Sequence, residues 1–142
     1  MTSPTPARPM KPTLDTPYHI DYDWFATTEG EDLRVYLLSH LPPALREQLE
    51  QGGDSREMDF IDPTTGQVQR LDALRLAVRQ AAQAPDFINR DIGVVDCLFR
   101  VFLRNDNTAQ SPRQLAELTG HPAQTVLNLI SKRVYKGIRP AP

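Results

Sequence analysis

Residues 111–131, SPRQLAELTGHPAQTVLNLIS, constrain the fold more than any other stretch, because they specify two short helices and a sharp turn. Ser111 suits the N-cap, Pro112 the first helical position, and Gln114 completes a Ser-x-x-Gln capping box. The first helix should end at Thr119 and Gly120, since glycine adopts at little cost the positive φ that reverses the chain. Pro122 suits the first position of a second helix, which carries Val126, Leu129 and Ile130 at helical spacing. Close packing of two helices needs a small residue at the crossing, and Ala116 supplies it.

Ala116, Gly120, Val126 and Leu129 are spaced four, six and three apart. In type and spacing they resemble the helix-turn-helix signature, with alanine in the first helix, glycine in the turn and two aliphatics in the second. The resemblance covers residues 111–131 and names no narrower family. It implies a tri-helical module with residues 122–131 as recognition helix and duplex DNA as partner. Gln124, Thr125, Asn128 and Ser131 then become the base-reading candidates, since amides pair with adenine and hydroxyls bond to base edges. Arg113, Lys132, Arg133, Lys136 and Arg139 are the phosphate-contact candidates. Five such contacts predict a log–log salt slope of about −4 to −5. Helix-turn-helix packing also occurs in modules that bind only protein, so a purely architectural role stays open. Leu127 belongs to that second reading: on the expected reading face it touches a thymine methyl, packs on the C-terminal tail or forms a partner patch.

Net charge is −2, but its distribution is uneven. Residues 1–99 hold nine basic and sixteen acidic side chains, whereas residues 100–142 hold seven basic and two acidic. The basic surplus thus falls on the helix-turn-helix segment, as phosphate binding requires. Surface charge that happens to fall unevenly is the plainer alternative.

The rest of the chain reads as a leader and a helical unit. Residues 1–17, with five prolines, read as a disordered arm in which Arg8 and Lys11 could brush a phosphate backbone. Tyr18, Ile20, Tyr22 and Trp24 alternate with polar residues, which suggests a short extended segment or an aromatic lead-in. Glu29, Glu31 and Asp32 favour a helix start, followed by Leu33, Tyr36, Leu37, His40 and Leu41 on one face. Pro42 and Pro43 end that helix and open another, which closes near Gly52 and Gly53. Residues 58–61 and 67–69 flank Asp62-Pro63-Thr64-Thr65-Gly66, the pattern of a β-hairpin turn. That hairpin, about residues 57–70, is either a structural flap or a wing-like element. Leu71, Leu74, Val78, Ala81 and Ala82 line a helix that ends at Pro85. An apolar helix from about Asn89 to Arg104 is hydrophobic over so broad an arc that more than one neighbour must cover it. After Ser131 the basic tail holds Val134, Tyr135 and Ile138 as a brief strand, either a stunted wing or a tail along the domain.

Enzyme chemistry finds no constellation. His19, His40 and His121 are scattered, so no metal-ligand spacing exists and no metal or cofactor is expected. Cys97 is the single cysteine, which excludes an internal disulfide, and it sits within the apolar helix as an inert side chain. The cluster Asp21, Asp23, Glu29, Glu31 and Asp32 reads as solvated acid without an EF-hand spacing. No apolar run spans a membrane and no secretory leader opens the chain, so a cytoplasmic protein is expected.

The expected architecture is mainly α with one small β-hairpin. An acidic helical subdomain, residues 18–84, precedes a tri-helical, helix-turn-helix-like subdomain, residues 86–139. The first expectation for function is a non-enzymatic DNA-binding protein, with transcriptional regulation as the default role and a homodimer as the default assembly. The alternative is an interaction module or assembly subunit that meets a protein partner through residues 18–84 or Leu127.

Overall fold

The structure, a computed structural model, describes residues 11–27, 30–52, 57–61 and 68–142. In chain order these form β1 (Tyr18–Ile20), a 3-10 turn (Tyr22–Ala26), α1 (Leu33–Leu38), α2 (Pro43–Gly52), β2 (Glu57–Ile61) and β3 (Val68–Asp72). There follow α3 (Ala73–Ala81), α4 (Val94–Arg104), α5 (Pro112–Thr119), α6 (Ala123–Lys132) and β4 (Ile138–Pro140). The fold is therefore mainly helical with a small β-hairpin, β2–β3, in which Met58 stands opposite Leu71 and Phe60 opposite Gln69. The Asp62–Gly66 connection expected for that hairpin, together with Arg8, Glu29, Gly53 and Arg56, lies outside the described residues.

A second two-stranded sheet joins the two ends of the chain. β1 runs antiparallel to β4, with Tyr18 opposite Pro140 and Ile20 opposite Ile138. Tyr18 also exchanges backbone bonds with Gln110, at 2.9 Å in both directions. The tail strand expected near Ile138 thus exists, and its partner comes from the opposite terminus. Tyr18, Ile20 and Ile138 are buried, so this pairing seals one side of the core.

Of the two readings of the aromatic alternation, a short extended segment or an aromatic lead-in, the extended one holds only for Tyr18–Ile20. Asp21 is the reason: its carboxylate accepts from the Asp23 N–H at 3.0 Å and starts the 3-10 turn instead. Where β1 lacks a full partner, the Asn107 side-chain amide substitutes for one. Its Oδ1 accepts from the Ile20 N–H at 2.7 Å, and its Nδ2 donates to the Ile20 carbonyl at 2.8 Å. Asn107 holds φ 60° to do so, a region that asparagine tolerates better than most residues.

α4 is the central element. It begins at Val94 rather than at Asn89, because Asn89 folds back: its side chain accepts from the Asp91 N–H at 2.9 Å, and its carbonyl receives the Cys97 thiol. Cys97, Leu98, Phe99, Val101 and Phe102 are all buried, so α4 is covered on several sides, as its broad apolar arc requires. One continuous core runs from Tyr18 and Ile20 through α1, α3, α4, α5 and α6 to Ile138.

A polar seam ties α1 to α4 inside this core. Tyr36 donates its hydroxyl to Asp96 at 2.5 Å, and both burial and that bond raise its pKa. Arg100 Nε donates to His40 Nδ1 at 3.0 Å while its Nη1 donates to the Phe87 carbonyl at 2.9 Å. The His40 ring stacks on Phe99 and meets Tyr36 edge-on. Burial, with the Arg100 charge adding to it, lowers the pKa of His40 to about 4. His40 is thus neutral, with its proton on Nε2.

Candidate nucleic-acid interface

The α5–α6 unit forms as its local chemistry dictates. Ser111 Oγ accepts from the Gln114 N–H at 3.2 Å, and Gln114 Oε1 accepts from the Ser111 N–H at 2.9 Å, which completes the capping box. Gly120 ends α5 at φ 81°, and its N–H donates to the Ala116 carbonyl at 2.8 Å. Pro122 stands one position earlier than expected, at the N-cap of α6. α5 packs against both α4 and α6, which gives three successive helices in contact. Leu115, Val126 and Ile130 are buried between them.

α6 shows a sharp division of faces. Val126 and Ile130 turn inward, while Gln124, Thr125, Asn128, Ser131 and Lys132 are exposed. All four base-reading candidates therefore share a solvent-facing helix. Gln124 Nε2 donates to Asn128 Oδ1 at 2.9 Å, one turn along. This bond leaves Gln124 Oε1 as an acceptor and Asn128 Nδ2 as a donor, neither engaged with another described group. Leu127 is half-buried rather than at the centre of that face, and Leu118 on α5 is 52% exposed.

The five phosphate-contact candidates meet different fates. Arg113 Nε donates to Asp15 at 3.1 Å, and this bond raises the guanidinium pKa. Arg139 pairs with Asp21 at 3.2 Å. Lys136 pairs with Glu31 and lies over the Tyr36 ring, 4.5 Å from its centre. Arg133 is exposed and stacks on Tyr135 at 4.7 Å, while Lys132 makes no ion pair among the described residues. Three of the five cations are therefore held by acids between positions 15 and 31, which sequence alone did not indicate.

The tail explains why Lys136 turns inward. Lys136 and Gly137 both hold positive φ, 52° and 77°, and the Ile138 N–H closes the turn on the Tyr135 carbonyl at 2.9 Å. This tight reversal, hereafter the wing, belongs to the tail that the sequence leaves as either a stunted wing or a segment along the domain. It docks on the body, with the Asp21 N–H donating to the Gly137 carbonyl at 2.8 Å.

Residues 11–17, expected within a disordered arm, are held beside α5. The Arg113 N–H donates to the Leu14 carbonyl at 3.1 Å. Thr13 and Thr16 close a turn around Asp15, with the Thr13 N–H on Thr16 Oγ1 at 2.8 Å and the Asp15 N–H on Thr13 Oγ1 at 3.2 Å. Arg90 is a cation that sequence reasoning overlooked. It is exposed, and its Cδ lies 3.5 Å from where a side chain would begin on Gly120, so it flanks the turn. Nothing in the local sequence around Arg90 signals this, because the contact joins two distant loops.

Other features stand apart from α5 and α6. A cleft of about 350 Å³ between α1, α3 and α4 has an apolar floor including Leu37, Val78 and Phe102, with the Arg79–Asp106 pair on its wall. Cys97 is buried, and burial raises its thiol pKa. Among the described residues no three metal-ligating side chains gather, and no helix is long and apolar enough to cross a membrane. No family model, curated protein or solved structure matches the chain.

Proposed function

We propose that the protein binds duplex DNA through α6, with α5 and the turn as its backbone clamp. The observation that carries this reading is the exposed Gln124–Asn128 pair on a helix whose other face is buried. Its outward acceptor and donor complement the N6 donor and N7 acceptor that adenine presents in the major groove. Thr125 and Ser131 flank the pair on the same helix. Lys132, Arg133 and Arg90 supply phosphate contacts, and Arg113 joins them if Asp15 lets go. Three contacts imply a log–log salt slope of about −2 to −3, shallower than five contacts would give. A role in transcription follows from this design by analogy, and a homodimer would place two copies of α6 on successive half-sites.

Anisotropy of labelled random-sequence duplex against salt tests the proposal. Micromolar binding at low salt is expected, and a Lys132→Ala/Arg133→Ala double variant should flatten the slope by about two units. Absence of binding at low salt refutes it.

The second reading, an architectural helix-turn-helix in a protein-binding module, is favoured by one observation: Leu118 stands half exposed on α5. Leu118→Ser would then abolish capture of a protein partner, or self-association in light scattering, while leaving anisotropy unchanged.

A further inference from the structure

We propose that residues 13–15 form an autoinhibitory strap that masks Arg113 from nucleic acid and must be displaced when the duplex docks. The inference rests on the DNA-binding reading above and concerns the regulation of that same surface. Its starting point is the fate of the basic surplus. Asp15 occupies Arg113, Asp21 occupies Arg139 and Glu31 occupies Lys136, so the N-terminal acids sit where phosphates would otherwise compete.

The three pairs differ in how easily they can open. Lys136 is only 21% exposed and also covers the Tyr36 ring, and the wing that carries it is anchored by the backbone bond from Asp21 to Gly137. Asp21 and Arg139 are both partly buried beside the β1–β4 sheet. Those two pairs are the more enclosed ones. Asp15 and Arg113 are 74% and 56% exposed, and a pair in water is held weakly.

The strap is also tethered so that it can swing without unfolding the protein. Its downstream end is fixed at Tyr18, which is buried and bonded to Gln110, and at Pro17, whose carbonyl accepts from Ala141 at 2.8 Å. Upstream of that hinge, its hydrogen bonds to α5 are the Leu14 carbonyl on the Arg113 N–H and the Asp15 carboxylate on the Arg113 side chain. Both converge on one residue, and a duplex phosphate that takes the Arg113 guanidinium breaks the carboxylate contact, leaving the backbone bond from Leu14 as the one hydrogen bond between strap and α5. The Thr13–Thr16 turn keeps Asp15 presented locally, whether docked or not.

A double-variant cycle on the full chain reads this out by anisotropy against salt. Asp15→Asn should tighten binding to random-sequence duplex about threefold to eightfold at about 0.1 M salt, and steepen the slope by about 0.9, the value of one added phosphate contact. In an Arg113→Gln background the same Asp15→Asn change should do nothing. Glu47→Gln, which removes an exposed acid on α2, should give less than half the gain. Equal gains with and without Arg113, or from Glu47→Gln, would show a general charge effect and overturn the mask. Binding by the wild type with no gain from Asp15→Asn overturns the mask alone. If none of the forms binds duplex, the mask and the DNA reading fall together.

Discussion

Stability should depend on the protonation of one buried side chain, His40, between about pH 6.5 and pH 4. The ring is 5% exposed, and it accepts a hydrogen bond from Arg100 Nε at Nδ1, the position that a second proton would need. Burial and then the Arg100 charge hold its pKa at about 4, against an ordinary value of 6.5. The unfolded chain therefore binds the proton more readily than the folded one across that interval. Stability from this source is complete above the unfolded value and falls as pH drops towards the folded value. Linkage puts the loss at about 1.4 kcal/mol by pH 5.5 and about 2.5 kcal/mol by pH 4.5, relative to neutral pH. Against a total of about 5–15 kcal/mol for a domain of this kind, that is a large share. Urea unfolding followed by tryptophan fluorescence suits the measurement, because the single tryptophan, Trp24, is buried. His40→Gln keeps an acceptor for Arg100 but does not titrate. It should be less stable than the wild type at neutral pH, and the gap should close by about 2.5 kcal/mol at pH 4.5. Protonation of carboxylates other than Asp96, whose charge acts on His40 itself, affects both proteins alike and cancels in the difference. A gap that stays constant with pH would refute the assignment of a neutral, buried His40.

Two further substitutions test how the terminal strands are held. Asn107→Ala should cost about 2–4 kcal/mol in the same assay, since it removes both bonds to Ile20 and leaves alanine at positive φ. Asn107→Gly should recover about 1 kcal/mol of that, and full recovery would show that the amide bonds contribute nothing. Gly137→Ala should cost more than about 2 kcal/mol, because a side chain there would begin 2.6 Å from the Asp21 carbonyl and at φ 77°. An unchanged midpoint for Gly137→Ala would mean that the wing does not dock on the body.

Features decided by near neighbours in the chain were legible in the sequence. Ser111, Gln114 and Gly120 announce the limits of α5 because a cap and a left-handed residue act within a few positions. The core face of α1 and the β2–β3 hairpin follow from periodicity and turn chemistry in the same way. The polar face of α6 was legible for the same reason. What escaped was decided across the length of the chain. Ile20 lies between His19 and Asp21 and Ile138 between Gly137 and Arg139, and nothing local tells either that the other is its partner. The early stop of β1 was written in Asp21, but the aromatic alternation through Trp24 fitted extension and an aromatic lead-in equally. The start of α4 was displaced by Asn89, whose side chain competes with the helix for backbone groups.

Charge asymmetry illustrates the same limit and bears directly on function. A segment with seven basic and two acidic side chains reads as a phosphate-binding footprint when its neighbours in space are unknown. Folding brings acids of the first 31 residues against three of those bases, so part of the asymmetry is internal attraction between the two ends of the chain. These same ends meet in the β1–β4 sheet, and the ion pairs flank it. Cations used this way gain little stability where they are exposed, as Arg113 is, and they pay for their pairing by being withheld from other anions. The arrangement therefore divides the basic residues into two groups with different consequences for salt. Raising salt should weaken the exposed Asp15–Arg113 pair and, on the proposed reading, the phosphate contacts of Lys132 and Arg133 together, while the half-buried Lys136 pair persists. A DNA affinity governed by both groups would carry the full slope of five cations, whereas one governed by the three exposed cations carries about three-fifths of it. The measured slope thus reports which cations the fold has kept for itself.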